Sequence, residues 1–169
     1  MKLKKDISFF ILWATVAAAI VQSIYFYPHL PNEVAVHFNA SGQADNFSSK
    51  LSANIFQIGI VCFIAILFGG ISYFITRAKD DFINLPNKEY WLAPERRNET
   101  IAYLIKFTNW SGVITNIFLL LVFQQVTNTN IAGKSYMDKS FWFIFISFMI
   151  VMIGMSIYLV FRFSRKKNQ

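Results

Sequence analysis

The chain has 169 residues, 55% of them apolar and 18% aromatic, with 19 phenylalanines, while charged residues make up only 15% against about 25% in an ordinary soluble domain. Its 16 basic and 9 acidic side chains leave a net charge of +7 and avoid four stretches altogether: 7–32, 51–76, 107–133 and 140–161. That distribution excludes a soluble globular enzyme, a disordered chain and a disulfide-rich secreted domain, and marks a small protein that crosses a membrane several times.

A helix crossing about 30 Å of hydrocarbon needs roughly 20 apolar residues, and each uncharged stretch is long enough. The first predicts a helix over 7–27. Lys2, Lys4 and Lys5 before it resemble the basic head of a secretion signal, and Ala17, Ala18 and Ala19 imitate a cleavage site. The apolar run continues eight residues past Ala19, to Tyr27, so the expectation is an uncleaved span. Within it, Ala14 and Ala18 form a small-xxx-small pair suited to close helix packing.

The following loop is predicted over 28–53. Pro28 and Pro31 stop the first helix. Val34, Val36 and Phe38 alternate with Ala35, His37 and Asn39, which predicts a short extended segment. Asn39 to Gly42 reads as a turn, and the 45–49 stretch can cap the next helix. His29, Glu33, His37 and Asp45 are the metal-ligand types here. Their spacing matches no zinc signature, which favours clustered Cys and His pairs, so no metal or other cofactor is expected.

The second span is predicted over 54–75. Its Cys62 is the single cysteine of the chain, so no internal disulfide can form. The loop over 77–106 is amphipathic. It holds a proline-marked turn with a Tyr90-Trp91 pair, and then Pro94 at a first helical position with Glu95 and Glu99 near a positive helix N-terminus. If that helix joins the third span, predicted over 108–126, its 33 residues would measure about 50 Å and overrun the hydrocarbon. Asn109 and Asn116 share a face of the third span, and Gln22 and Gln57 are candidates to meet it through interhelical hydrogen bonds. The fourth span is predicted over 141–161. Tyr25, Tyr27, Trp91, Trp110, Tyr136 and Trp142 fall near span ends, as interfacial anchors do.

Thirteen of the sixteen basic residues lie before the first span, between the second and third, or after the fourth. Only Lys50, Lys134 and Lys139 fall on the other side. The positive-inside bias therefore puts both termini in the cytoplasm. The expected architecture is all-α: one four-helix membrane domain over 1–169, with a short extracytoplasmic loop. Because the basic charge follows membrane sides, nucleic acid is not an expected partner.

Pro31, His37-Phe38-Asn39, Gly42, Asp45 and Lys50 resemble the motif of a bacterial integral-membrane domain of unknown function, which also forms the N-terminal part of Sdp-type toxin immunity proteins. The resemblance covers roughly 14–60. Asn84, Pro86-Asn87, Tyr90-Trp91 and Pro94-Glu95-Arg96-Arg97 are similar to a stretch of short members of that family. The resemblance implies a multi-pass protein of the bacterial cytoplasmic (inner) membrane. In the immunity proteins this domain accompanies a second membrane region, and no match to that region is legible in the third and fourth spans.

No Walker loop, HExxH, GxSxG or CxxC occurs, and nothing holds Glu89, Glu95, Glu99 and Tyr90 at a catalytic working distance. The leading expectation is therefore a non-enzymatic membrane protein without catalytic residues. It would recognise a peptide or protein through Pro31, His37, Phe38, Asn39, Gly42 and Asp45, and the resemblance implies peptide-toxin immunity as one form of this. The alternative is a sensor or scaffold subunit whose 84–97 segment binds a cytoplasmic partner, with Tyr90, Trp91, Arg96 and Arg97 touching that partner or lipid phosphates. A small transporter ranks last, because no ionisable side chain sits within a span unless Lys106 is drawn inward, and Lys106 can snorkel.

Overall fold

The computed structural model of the chain describes residues 7–165. Lys2, Lys4, Lys5, Lys166 and Lys167, which carry part of the charge asymmetry, lie outside the described residues. In chain order the elements are α1 (Ile7–Phe26), β1 (Glu33–Phe38), β2 (Ala44–Ser49), α2 (Lys50–Arg77), α3 (Lys88–Trp91), α4 (Pro94–Ile131) and α5 (Ser140–Ser164), with 3-10 turns at Tyr27–His29 and Asp80–Phe82. Four helices are long and apolar enough to cross a membrane, and the molecule is a membrane protein.

The helices outrun the apolar windows that predict them. α2 starts at Lys50 rather than near 54, because Ser49 caps it by accepting from the Ser52 N–H at 3.1 Å. The long helix expected from Pro94 exists and continues past Val126 to Ile131. At 1.5 Å per residue its 38 residues measure about 57 Å. It therefore extends beyond the hydrocarbon and joins the two ends of the molecule.

The all-α expectation needs one correction. The 28–53 loop is an antiparallel hairpin, and it is not a simple alternating one. The ladder pairs Ala35 with Phe47 and next His37 with Asn46, which leaves Val36 extra on β1. It then pairs Phe38 with Ala44, which leaves Asp45 extra on β2. Each bulge shifts the side-chain period by one. Val34 and Ala35, in regular pairs ahead of the first bulge, are both buried, while the bulged Val36 is 40% exposed.

Two cores hold the helices. Leu12, Val16 and Ala19 of α1 pack with Val61 and Ala65 of α2 and Val113 of α4. Gly112 lets α4 approach α2 closely, since a Cβ there would lie 2.7 Å from the Cβ of Phe68. Ala14 and Ala18 face away from this core and are exposed. The second core lies at the end of the bundle opposite the hairpin. There Ala78, Ile83, Leu85 and Leu92 fold back against Ile101 of α4 and Phe163 of α5. α5 packs mainly on α4, partly by stacking Phe148 on Phe118 at 4.2 Å.

Amide side chains tie the first three long helices together. Asn116 donates to Thr15 Oγ1 at 2.8 Å, and Ser72 donates to Asn109 Oδ1 at 2.7 Å. Gln57 donates to Gln22 at 3.0 Å and Gln22 to Gln124 at 2.8 Å. Gln22 thus does bond to α4, but at Gln124 and the Leu120 carbonyl rather than at the two asparagines, and Gln57 reaches it only through Gln22. Both glutamines lie nearer the hairpin end, and depth along the bundle decides which polar groups can pair.

Candidate functional site

The hairpin end is built around Asn39 and Asn130. The Asn39 side-chain oxygen accepts from the backbone N–H groups of Ser41 at 2.9 Å and Gln43 at 3.0 Å, and the Asn39 backbone N–H donates to the Gln43 carbonyl at 2.9 Å. Gly42 completes the turn at φ +80°, a conformation that favours glycine. The Gly42 carbonyl accepts from Met137 N–H at 2.7 Å, and Ala44 N–H donates to Ser135 at 2.8 Å. The 134–139 loop is in this way laid along the hairpin.

Asn130 presents its amide to β1 as a neighbouring strand would. Its Oδ1 accepts from Ala35 N–H at 2.7 Å, and its Nδ2 donates to the Ala35 carbonyl at 3.0 Å. The sequence reading missed this residue. The legible signal is the polar run from Thr127 to Asn130, which no glycine or proline interrupts.

The bulge at Asp45 brings its carboxylate to His37, whose Nδ1–H donates to Oδ1 at 2.5 Å. The side chains are 65% and 42% exposed, so water screens the pair and it contributes little to stability. Both remain presented at the surface.

Between β1, the start of α2 and the end of α4 lies a cavity of about 430 Å³. Val34, Phe56, Phe123 and Val126 supply apolar wall, and His37 and Asn130 supply polar groups. Of the motif residues, only His37 lines it. Asn39 and Gly42 shape the turn, Asp45 holds His37, Phe38 is half-buried at the end of β1, and Pro31 is exposed before β1. Among the described residues no group of three or more His, Cys, Asp or Glu could hold a metal. His29 is turned away and donates to Tyr25 O at 3.1 Å.

The 84–97 segment works largely within the chain. Asn87 sits at φ 51° and donates to the carbonyls of Phe163 and Ser164, both at 3.0 Å. Trp91 Nε1 donates to Phe163 O at 2.8 Å. Together they satisfy carbonyls that α5 leaves open at its C-terminus. Trp91 is therefore more than an interfacial anchor. Arg97 donates to Asp80 at 2.8 Å and to Ala78 O at 3.1 Å, which fixes the chain leaving α2. Arg96 donates to Tyr90 O at 2.8 Å and lies over the Tyr90 ring at 3.9 Å. Arg96 and Tyr90 also line a second cavity, of about 510 Å³.

Residues 14–62 match the model of a domain of unknown function (DUF1648). Over 45 residues the chain is 36% identical to the uncharacterized membrane protein YbgB of Bacillus subtilis (strain 168), a stretch that is 27% of this chain and 50% of that protein. The chain thus spans half the length of the curated relative that it matches. No solved structure matches it. The matched residues 14–62 comprise most of α1, the hairpin and the first turns of α2, so the family likeness falls on the hairpin end.

Proposed function

We propose that the protein is a non-enzymatic recognition protein of the bacterial cytoplasmic membrane, which takes a peptide or protein segment at its hairpin end. The observation that carries this reading is the cavity of about 430 Å³ between β1, α2 and α4. Apolar wall with a few converging polar groups is the usual composition of a binding site. His37 lines it, and its imidazole is oriented by Asp45. A segment with one apolar side chain, followed by a group that hydrogen-bonds to imidazole, fits this chemistry. Protection from a membrane-active peptide toxin is the physiological form we favour. The matched domain falls on this end.

The partner-binding alternative for the 84–97 segment has less support, because the Asn87, Trp91 and Arg97 side chains already bond within the chain.

The test is killing of the native host by a panel of membrane-active peptides. It compares deletion, complemented, His37→Ala and Ala53→Phe strains at matched protein level. Ala53 lines the cavity, and a phenyl ring there would fill it. Sensitivity in the deletion strain that neither variant rescues supports recognition at this cavity. Equal killing of all four strains removes protection as the function. Full rescue by Ala53→Phe removes the cavity from it.

A further inference from the structure

The cavity at the opposite end of the bundle carries an independent site. It holds about 510 Å³ and is lined by three arginines, Arg96, Arg162 and Arg165, and by one acid, Glu99. Among the described residues none of these arginines meets a carboxylate within ion-pair distance. Arg97, one residue along, is the contrast, since Asp80 neutralises it.

Two of the guanidinium groups lie over rings, Arg96 on Tyr90 at 3.9 Å and Arg162 on Tyr103 at 4.1 Å, and Arg96 spends only its Nε, on the Tyr90 carbonyl. Stacking uses the face of a guanidinium and leaves its in-plane N–H donors for an anion. The Nε of Arg162 is closed off from solvent and has no acceptor. Several cations with unspent donors around one cavity suit a phosphate, which accepts forked hydrogen bonds.

A groove adjoins this cavity and shares Tyr103 with it. It holds about 450 Å³ between α4 and α5 and is walled by Phe107, Trp110, Ile114 and Met155. Gly154 keeps it open, with nothing within 4 Å of where its Cβ would stand. Arg162 is the first charged residue after the uncharged stretch 140–161, the depth at which headgroups begin.

The geometry points to a binding site for an anionic phospholipid, with the phosphate among Arg96, Arg162 and Arg165 and an acyl chain in the α4–α5 groove. The groove favours a lipid over a soluble phosphate compound, which would leave it unfilled. The site would couple the charge of the surrounding bilayer to the α3–α4 and α5 ends, whatever the hairpin recognises.

The test uses the full chain in detergent, with bound lipid counted by native mass spectrometry. Phosphatidylglycerol should be retained about tenfold more than phosphatidylcholine, the ratio expected for a charge-assisted contact. Replacing Arg162 and Arg165 together by Gln should abolish the preference, while Arg162→Lys keeps part of it. Lys134→Gln, at the hairpin end, should leave it unchanged. Gly154→Leu, which narrows the groove, should weaken phosphatidylglycerol retention. Equal retention of the two lipids by the native chain overturns the proposal, and that comparison needs no variant. Displacement of phosphatidylglycerol by millimolar glycerol phosphate overturns it in favour of a soluble phosphate ligand.

Discussion

Asn130 does the work of an absent third strand for one residue of β1. Ala35 is 3% exposed, so its backbone groups would lose their partners in a place that water does not reach. Asn130→Ala should cost about 1–3 kcal/mol locally, and hydrogen exchange over 33–38 should accelerate about tenfold or more. Gly112 offers a test of packing. A methyl group there meets Phe68 at 2.7 Å, so Gly112→Ala should destabilise the bundle by about 1–3 kcal/mol, read as a lower melting temperature in detergent. Gly69→Ala meets nothing within 4 Å and should be neutral or raise it slightly. The sequence shows that both glycines sit in helices, but not which one faces a neighbour. His37 and Asp45 stood out by residue type, and their contact depends on a bulge that no local pattern announces.

α4 is the element that decides how the ends are built. Its first turns carry Arg97 and Thr100, which hold the chain after α2 and α3, and its last turn carries Asn130, which holds the hairpin. Its start and continuity were legible, because Pro94 opens it and no proline follows, but its last turns run past the expected end at Val126 to Ile131. Its docking role was not legible, since polar residues at a helix end read equally as solvated. α5 depends on end contacts more than on burial. At its start, Asp138 accepts from the Ser140 N–H at 2.8 Å and from the Ser140 hydroxyl at 2.7 Å. The Ser140 hydroxyl and then its amide hold the Asp138 carboxyl below its ordinary range, with Lys134 adding a smaller effect. A depressed carboxylate stabilises the fold fully above its ordinary range, and that stabilisation disappears as the pH falls through the depressed value. Exchange protection of the first turn of α5 should therefore hold from neutral to mildly acidic pH and fall in strong acid. In Asp138→Ala it should be lower at neutrality, with no further step in that window.

At the level of the whole molecule, the hairpin and the three-arginine cavity lie at opposite ends of a bundle spanned by α4. The charge bias of the sequence leads us to expect the hairpin outside the cell and the arginines inside. A single-cysteine protein tests this sidedness: Ser41→Cys in a Cys62→Ala background places the only thiol in the exposed hairpin turn. A membrane-impermeant maleimide should label it in intact cells. A second protein with Lys79→Cys in the same background should react only after the cells are opened. The reverse pattern would invert the molecule and put the recognition cavity in the cytoplasm.

Membrane character and four helices long and apolar enough to cross a bilayer followed from the sequence alone, because the absence of charge over twenty or more residues is a local property with one physical solution in lipid. The capping of α2, the unbroken run of α4 and the turn at 39–42 were legible for the same local reason. Tertiary structure decided the rest. The bulged register of the hairpin, the pairing of Asn130 with Ala35, the capping of α5 by Asn87 and Trp91, and the meeting of Arg96 with Arg162 and Arg165 join residues far apart in sequence. Each depends on helix depth and rotation within the bundle. Those are set by shape, at places such as Gly112 against Phe68, rather than by any periodicity along the chain.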